Sequence, residues 1–491
     1  MATPTTGERP DPSSGRSRRP VLFLGLPMAV NVRDVLRSDA WATILEGGAE
    51  VHLFSAAAAV EAFRREFEGP SVYIHPLVAP RSRLFRVVDG AVLRLHVVLL
   101  SLRCATARIM IGETLRSSAS ARAVHRLLGA LGRRGQDALL RLSRRLTRAL
   151  APDLYGDAFR RWRPDVVVGT RVVTMSGPSG PSSARYLDRY LLMAAADRGV
   201  PTMVLVSSWD NLTTSGFFPV EVDRITVWNE IMKDQAVGIH GLPPERVVVT
   251  GAPQHDVFAS DGPYRARGAF FRELGLDPER RLVVYTSGTE GTIPQEPDLV
   301  ARLAQRLAEA RPDVQLLVRV HQLDDLERYA ALRDRPGVAL DQAGRPPVGE
   351  YHDRDFDRGQ LERLADTLRH ADVVVNAASS ISIDAAAVGT PVVVVDFDAH
   401  PETPYHRSVR RFYDFTHQRP VVASGGVFRA GGVDALLEGI ARYLEDPDAD
   451  AEGRARLVRE QCGVLDGGAG RRVGRAVLEA LERSVARRRS A

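Results

Sequence analysis

The stretch from Ala371 to Asp398 constrains the fold of this chain more than any other part of the sequence. An apolar run, Val373 to Val375, opens the stretch, and a second one, Val392 to Val395, closes it. A small polar turn and an alanine-rich segment of helical length lie between the two runs. Short apolar runs separated by a helix are typical of parallel strands that are buried on both faces. The stretch therefore predicts a βαβ unit and an α/β fold.

The polar turn of this unit is a candidate ligand site. Ser379, Ser380 and Ser382 stand where the helix would begin, and Asp384 follows in its first turn. Free backbone N–H groups and hydroxyls at a helix start can hold a phosphate, and Asp384 could accept hydrogen bonds from ribose or sugar hydroxyls. Alternatively, the serines only cap the helix while the acidic residue favours its positive end. The stretch alone leaves both interpretations open.

Size and cysteine content set the broad class of protein. At 491 residues, the chain is expected to form about two domains. Its hydrophobic content of 44% and charged content of 26% are normal for a soluble globular protein. The two cysteines, Cys104 and Cys462, lie far apart in the sequence. We therefore expect neither a disulfide framework nor a zinc site, and a reducing cytoplasm fits best.

The amino-terminal half begins with a tail, residues 1–20, that is predicted to be disordered because it is rich in Pro, Ser, Thr, Gly and Arg. A strand, a helix and a strand follow over residues 21–54. This opening lacks the G-x-G-x-x-G fingerprint, which disfavours a nicotinamide or flavin enzyme. Further on, a Gly/Ser/Pro loop at residues 176–183 leads to a helix from about Ala184.

A leucine- and arginine-rich segment, residues 81–163, interrupts this half, and almost all of the basic charge is arginine because Lys233 is the only lysine. Within residues 122–150 the leucines share one side of a helical wheel and the arginines the other. The pattern predicts basic amphipathic helices, either packed with a solvated arginine face or lying on an anionic membrane surface. The apolar run at residues 97–102 is too short to span a bilayer. Nucleic acid is not an expected partner, because aromatic residues are not interleaved with the arginines.

Two further loops are candidate sites at strand ends. A predicted strand runs directly into Ser207 to Thr213, where Asp210 could take a proton from an acceptor hydroxyl and Asn211 could orient that hydroxyl. An Asx turn that ends the strand is the alternative. The second loop follows a strand ending at Tyr285, and its glycine-broken sequence would let backbone N–H groups approach an anion. Its candidate residues are Ser287, Gly288, Thr289 and Glu290.

Several of these segments resemble one enzyme family. The strand, serine turn, acidic residue and G-T-P-V sequence of the central stretch resemble the donor-binding half of glycosyltransferases with the GT-B fold. The resemblance is strongest to the CDP-glycerol glycerophosphotransferases and related surface-carbohydrate transferases, and weaker to the UDP-N-acetylglucosamine 2-epimerases. The other matching segments are S-W-D-N-L at 208–212, V-x-G-x-P-x-x-D at 249–256, R-V-H at 319–321 and D-G-x-A at 466–469. Gln322 stands where the family usually has proline.

The resemblance implies two Rossmann-like domains whose parallel sheets face each other across a cleft. It places an acceptor domain at residues 21–240, with the helical insertion at about 81–163. A nucleotide-donor domain follows at 241–470, and a final helix at 471–491 crosses back to the first domain. Residues 341–357 would form a polar excursion over the cleft.

The resemblance also implies a reaction. A sugar or polyol phosphate would move from a nucleotide-diphospho donor to a hydroxyl acceptor, in surface polysaccharide or glycoconjugate biosynthesis. Asp210 would be the base, Arg319 and His321 would neutralise the departing phosphates, and Arg411 and His417 would contact the donor or close the cleft.

No cofactor beyond the donor is expected, and no metal, because GT-B enzymes generally need none for chemistry. Asp396-Phe397-Asp398 matches D-x-D only by letters. Inversion is slightly favoured, because Asn376 stands where retaining relatives often carry glutamate.

Two alternatives to this reaction stay open. One is a nucleotide-sugar 2-epimerase, although that family normally has a His-Arg-x-Glu-Asn run where this chain has Thr286 to Glu290. The other is a non-enzymatic ligand-binding module, which would be favoured if alanine at Asp210 and His321 left the biological effect intact. The expected location is cytoplasmic, with peripheral contact at the inner face of the membrane as a further hypothesis. The sugar, the nucleotide base, the acceptor and the oligomeric state are left open by the sequence.

Overall fold

The computed structural model describes residues 18–170, 186–346, 354 and 356–490. Most of the predicted tail, the loop predicted at residues 176–183 and the start of the helix predicted from Ala184 lie outside the described residues. Part of the predicted excursion at 341–357 also lies outside them.

Within the described residues, a first sheet of seven parallel strands has the order β3-β2-β1-β4-β5-β6-β7. The strands are β1 (Val21–Leu26), β2 (Glu50–Ser55), β3 (Val72–Pro76), β4 (Val166–Gly169), β5 (Thr202–Leu205), β6 (Arg224–Val227) and β7 (Val247–Val249). Side chains alternate between the two faces, so that Leu22 and Leu24 enter one core while Phe23 enters the other. The sheet is therefore buried on both sides, as its apolar strands predict.

The helices of this half cover both faces of the sheet and form the insertion. They are α1 (Ala29–Val35), α2 (Asp39–Glu46), α3 (Glu61–Phe67), α4 (Arg83–Ser101), α5 (Ala105–Met110), α6 (Gly112–Ser117), α7 (Ala119–Ala130), α8 (Gly132–Leu150), α9 (Gly156–Trp162), α10 (Asp188–Asp197), α11 (Asn211–Thr214) and α12 (Glu230–Gly238). The insertion comprises α4 to α9 and lies between β3 and β4 in the chain.

The insertion has a small core and an unusually apolar surface. Leu99, Leu100 and Leu128 are buried together with Phe217. Other leucines of the predicted apolar side are exposed, including Leu127 at 67% and Leu142 at 63%. None of the helices in the described parts of the chain is long and apolar enough to cross a membrane.

The second sheet has six parallel strands in the described residues, in the order β10-β9-β8-β11-β12-β13. The strands are β8 (Arg281–Thr286), β9 (Val314–Val320), β10 (Val338–Gln342), β11 (Val373–Asn376), β12 (Val392–Val395) and β13 (Phe428–Ala430). The helices of this half are α13 (Arg267–Glu273), α14 (Glu296–Ala310), α15 (Arg358–His370), α16 (Ile381–Ala387), α17 (Arg410–Tyr413), α18 (Arg419–Ala423), α19 (Val433–Glu445), α20 (Ala451–Gln461) and α21 (Ala469–Ser490). Short 3-10 helices occupy Pro244–Arg246, Pro253–Ala259 and Leu326–Leu332.

The central stretch forms the predicted βαβ unit. Strands β11 and β12 pair in parallel, with Val374 opposite Val392, and α16 connects them. Every residue of both strands is buried. The α/β, two-sheet architecture predicted from the sequence is confirmed.

The two halves are joined more closely than the predicted boundary near residue 240 suggests. Strand β7 pairs with β6, with Ile225 opposite Val247, so the first sheet extends past that boundary. Helix α21 returns to the first half, where Val473 and Val477 enter the core beneath β1 and β2. That helix begins at Ala469, two residues before the predicted start.

Candidate active site

The ligand edges of the two sheets meet where the halves of the molecule touch. Open parallel sheets bind ligands beyond the carboxyl ends of their strands. At that edge of the first sheet is a small open cleft lined by Asn31, Asp34, Ser207 and Trp228 among others. At the same edge of the second sheet is another small cleft, whose lining includes Glu296.

Asp210 lies at the start of α11, directly after β5. Its Oδ1 accepts a hydrogen bond from the Ser208 hydroxyl at 2.5 Å, and its Oδ2 accepts one from the Thr214 hydroxyl at 2.9 Å. The side chain forms no ion pair among the described residues. Because each carboxylate oxygen has more than one lone pair, both can accept a further proton donor. The carboxylate is thus held in position while it remains able to accept a hydroxyl proton.

His417, from the second half of the molecule, contacts the residues on either side of this carboxylate. Its Nδ1 lies 2.7 Å from the Thr213 hydroxyl, and its ring meets Trp209 edge to face, with the centroids 4.8 Å apart. Burial lowers the pKa of His417 to about 4, although nearby Asp210 favours the charged form. A predicted acceptor-side residue and a predicted donor-side residue therefore meet across the junction, with the imidazole neutral.

Asn211 is buried beside Asp210, and its amide is only partly used. Its Nδ2 lies 3.5 Å from Asp210 Oδ1, at the limit of a hydrogen bond. Its Oδ1 is buried without a partner among the described residues. Buried polar atoms are nearly always hydrogen-bonded in native proteins, so this oxygen is suited to accept a hydrogen bond from a bound ligand.

The predicted phosphate loop after β8 has its amides already occupied. The N–H of Gly288 donates to Glu296 at 2.7 Å, that of Thr289 to the Thr292 hydroxyl at 3.0 Å, and that of Glu290 to Asp324 at 3.1 Å. In this conformation these three N–H groups cannot bind an anion, contrary to the prediction.

The hydroxyl of Ser287 also serves the protein itself. It accepts the N–H of His321 at 3.0 Å and donates to the carbonyl of Gly288 at 3.1 Å. Ser287 is buried, so it shapes the loop rather than exposing a hydroxyl to a ligand.

Glu296 is a residue that sequence reasoning missed. It is buried in the first turn of α14 and accepts hydrogen bonds from Gly288 N and from the Tyr285 hydroxyl at 2.9 Å. Burial raises the pKa of Glu296 to about 7, although those two donors oppose the rise. An acidic residue in a first helical turn looks ordinary in a sequence, so no local signal separates it from a surface residue.

Arg319 is engaged by the protein itself. Asp341 stands opposite it on β10 and forms a buried ion pair with it. Asp341 also accepts a hydrogen bond from Arg363 at 2.9 Å. Arg319 is thus held in an ion pair within the protein in this structure, which weakens the case for its predicted role in neutralising a departing diphosphate.

His321 is better placed than Arg319 but carries no charge. Its Nδ1 accepts the N–H of Leu323 at 3.0 Å, which requires the ring proton on Nε2. Burial lowers the pKa of His321 to about 4, although Asp324 opposes the shift. The side chain can therefore donate one hydrogen bond but does not supply the predicted positive charge near neutral pH.

Within the serine turn, two of the three hydroxyls are directed inward. Ser379 Oγ accepts the N–H of Ile381 at 3.3 Å, and Ser382 is buried against Asn376 with their polar atoms 3.0 Å apart. Ser380 is partly exposed, and its side chain forms no cap hydrogen bond. The hydroxyl of Ser380 is thus the least engaged of the three and is available to a ligand.

Asp384 is also engaged by the protein itself. Its carboxylate is buried, with Oδ1 3.2 Å from His255 Nε2. Burial alone would lower the pKa of His255, but Cys462 and Asp384 raise it to about 10. Asp384 is therefore the counter-ion of His255 in this structure, and its predicted contact with donor hydroxyls stays a prediction.

Arg411 joins two segments of the second half near the phosphate loop. Its guanidinium donates to the carbonyls of Ser408 and Thr292, both at 3.3 Å. It forms no ion pair with any described carboxylate. Arg411 thus supplies a positive charge beside the loop that could still pair with an anion.

Two parallel sheets joined at their carboxyl edges, with catalytic-type residues at the junction, define an enzyme of the GT-B glycosyltransferase type. Two solved structures share the fold. A candidate UDP-N-acetylglucosamine 2-epimerase from Listeria monocytogenes is 13% identical with a TM-score of 0.52, over 95% of this chain and 98% of that one. The S. aureus MnaA complex with UDP is 11% identical with a TM-score of 0.51, over 95% and 97%.

The family follows from the sequence comparison. Residues 219–479, more than half of the chain, match the model of the CDP-Glycerol:Poly(glycerophosphate) glycerophosphotransferase family. The chain belongs to that family, as the resemblance predicted.

Curated relatives are more distant. Lipid-A-disaccharide synthase of Geobacter sulfurreducens is 27% identical over 45% of this chain and 55% of that protein. The corresponding synthase of Syntrophotalea carbinolica is 26% identical over 62% and 75%. A pyrophosphoryl-undecaprenol N-acetylglucosamine transferase of Bifidobacterium longum is 28% identical over 38% of this chain and 44% of that protein. The chain therefore spans about half the length of two of these three relatives.

Proposed function

We propose that this protein transfers a sugar or a polyol phosphate from a nucleotide-diphospho donor to a hydroxyl acceptor in the synthesis of a surface polysaccharide or glycoconjugate. The family, two relatives named as lipid-A-disaccharide synthases and one named as an N-acetylglucosamine transferase support the proposal. The observation that carries it is the position of Asp210 beside Trp209 and Thr213, which His417 of the second half contacts. A carboxylate with free lone pairs lies there, between the ligand edges of two sheets.

In this proposal Asp210 accepts the proton of the acceptor hydroxyl as that oxygen attacks the donor. The Ser208 and Thr214 hydroxyls hold the carboxylate in one orientation, and proton removal by a positioned group accelerates such a step. Asn211 Oδ1 accepts a second hydroxyl of the acceptor. His417 remains neutral, so it does not hold the Asp210 carboxylate in an ion pair.

On the donor side, three groups are available to stabilise the leaving nucleotide. Ser380 contributes a hydroxyl, His321 an Nε2–H donor and Arg411 a positive charge. Donors aimed at developing negative charge stabilise a transition state more than a ground state. We propose that the transfer needs no metal ion and inverts the sugar centre. Full activity in EDTA and the anomeric configuration of the product test these two points.

A thermal-shift screen with UDP, GDP, CDP and dTDP tests donor binding. A ligand that binds only the native state raises its melting temperature, so we expect one nucleotide to raise it clearly. Arg411→Gln should reduce that shift, whereas Arg306→Gln, at an exposed position elsewhere in the second half, should not. If none of the four nucleotides shifts the wild type, the proposal fails.

The 2-epimerase alternative makes a different product and is tested separately. Incubation with UDP-N-acetylglucosamine and no acceptor would yield the 2-epimer if the protein were such an epimerase. Under the transferase proposal the substrate is recovered unchanged, apart from slow hydrolysis.

We also propose that the α7–α8 region, residues 122–150, rests on an anionic membrane surface. The prediction allowed a fully packed leucine side, but Leu127, Leu142, Leu146 and Leu150 are exposed beside arginines. Apolar side chains next to basic ones favour insertion at a headgroup boundary. Flotation should recover the protein with anionic but not neutral liposomes, less so at high salt, and Leu142→Ser/Leu146→Ser should abolish it. Equal flotation of that variant would contradict the proposal.

A further inference from the structure

A groove lies on the first half of the molecule, on the opposite side of the sheet from the proposed transfer site. It is an open groove with a cavity volume of about 360 Å³, between α8, the end of α21 and the segments that precede β5 and β6. Pro201 and Asp223 line it just before those two strands begin. The groove is therefore at the amino edge of the first sheet, whereas Asp210 is at the carboxyl edge. This separation makes it a second site rather than part of the first.

The side chains that line this groove are strongly basic. Five guanidiniums face two carboxylates, and these charged residues are Arg141, Arg144, Arg145, Arg148, Arg487, Glu221 and Asp223. Arg148 pairs with Asp197 at 3.4 Å, whereas the other four arginines form no ion pair among the described residues. Asp223 is engaged elsewhere, because its carboxylate accepts the Thr202 N–H at 2.8 Å and the Thr202 hydroxyl at 3.1 Å. The groove has an excess of positive charge that the protein itself does not neutralise.

Arg144 is a half-buried positive charge in the groove that has no counter-ion within ion-pair distance among the described residues. Its Nε donates to the carbonyl of Phe218 at 2.9 Å. Burial lowers the pKa of Arg144 to about 10, and the more distant charge of Glu221 only partly offsets this. A buried charge without a counter-ion is destabilising, so an anion bound in the groove would relieve that cost.

The shape and chemistry of the groove restrict which anion fits. No aromatic side chain lines it, so it lacks the stacking platforms that hold nucleic acid bases. It is concave, whereas the exposed leucines proposed to meet a membrane, such as Leu142 and Leu146, are not part of its lining. Arginine forks match phosphate oxygens, and Glu221 can accept hydrogen bonds from hydroxyls. Alternating phosphates and hydroxyls would satisfy both kinds of group.

We propose that this groove binds a chain of phosphate-linked polyol or sugar units. The guanidiniums of Arg141, Arg144 and Arg145 contact its phosphates, and the carboxylate of Glu221 contacts its hydroxyls. The proposal rests on the groove alone and does not depend on the chemistry proposed at Asp210.

Fluorescence anisotropy with a labelled six-unit glycerol phosphate oligomer tests the proposal on the full chain. Arg141→Gln/Arg145→Gln should weaken binding at least tenfold. The control Arg126→Gln/Arg134→Gln removes the same charge from exposed positions of the same insertion, outside the groove, and should weaken binding less than twofold. Because this variant loses two phosphate contacts, the slope of the logarithm of its association constant against the logarithm of salt concentration should become less negative by roughly 1.4. Equal weakening by both pairs of substitutions would overturn the proposal.

A second measurement separates the proposed ligand from other anions. Glu221→Gln should weaken binding of the glycerol phosphate oligomer but strengthen binding of inorganic polyphosphate with the same number of phosphates, because polyphosphate has no hydroxyls to lose. Strengthened binding of both ligands would mean that the groove recognises charge alone and would overturn the proposal. So would binding of anionic vesicles with no binding of the free oligomer. Unchanged melting temperatures of all the variants ensure that these differences reflect the groove.

Discussion

The ligand edges of the two sheets differ in how far their polar groups are already satisfied. At the edge of the first sheet, Asp210 keeps free lone pairs and Asn211 keeps a buried oxygen with no described partner. At the edge of the second, Arg319 and Asp384 belong to buried ion pairs within the protein, and the amide of Gly288 is bonded to Glu296. A motif residue is therefore a good candidate for ligand binding only when the fold leaves its polar atoms unpaired.

Substitution of Asp210 should have the largest effect on activity. Asp210→Asn keeps the hydrogen-bonding shape but removes the base, so we expect the transfer rate to fall by about 100- to 10,000-fold with little change in melting temperature. Turnover of the donor found in the nucleotide screen measures the rate. Asp234→Asn, at an exposed position of α12, should retain wild-type activity. If Asp210→Asn remains active, the first edge is no more catalytic than the second.

Asp384 tests the opposite edge. Removing one partner of a buried ion pair should cost about 3 to 5 kcal/mol of unfolding free energy, so Asp384→Asn should destabilise the protein while nucleotide binding by the folded form persists. The exposed Asp434, which pairs with Arg306, provides a control that should lose about 1 kcal/mol or less.

The same pair predicts a pH dependence. Because the pKa of His255 is raised to about 10, its stabilising effect is complete below about 6.5 and is lost as the pH rises through 10. Urea unfolding at pH 6.5 and pH 10 should therefore show a larger effect of Asp384→Asn at the lower pH. If the folded Asp384→Asn variant no longer showed a nucleotide-induced rise in melting temperature, Asp384 would instead contact the donor.

Glu296 gives the smallest expected effect and concerns the phosphate loop. Its pKa of about 7 lies above the usual value near 4.3, so the folded state binds the extra proton between these pH values. Stability should therefore decline by up to about 3 kcal/mol as the pH rises from 4.5 through 7. Glu296→Gln should flatten this decline in urea unfolding at pH 5 and pH 8, whereas Asp298→Asn, exposed on the same helix, should not. An unchanged decline in Glu296→Gln would assign it to another group.

The fold was predictable because its signals are local. The valine runs of β11 and β12 and the helix between them lie within one short stretch, and apolar runs of that length have few other structural solutions. The family motifs around Asp210 and His321 are similarly contiguous. These segments required no knowledge of which strand neighbours which.

The fate of individual side chains was less predictable because it depends on distant partners. Arg319 is tied to Asp341 by the register of β9 against β10. Asp384 meets His255, which is 129 positions earlier in the chain. In α8 the helical wheel predicted the amphipathic pattern, but neighbouring helices decide that Leu140 is buried while Leu142 is exposed. None of these outcomes is encoded in local spacing.

The return of α21 to the first half gives the molecule a discontinuous lobe. Val473, Val477 and Leu481 complete a core that begins at Leu22, so a linear fragment ending near residue 250 would leave that core open to solvent. The polypeptide must therefore be synthesised past Leu481 before the core of this lobe can close. The chain also crosses twice between the lobes, once after β7 and once at α21.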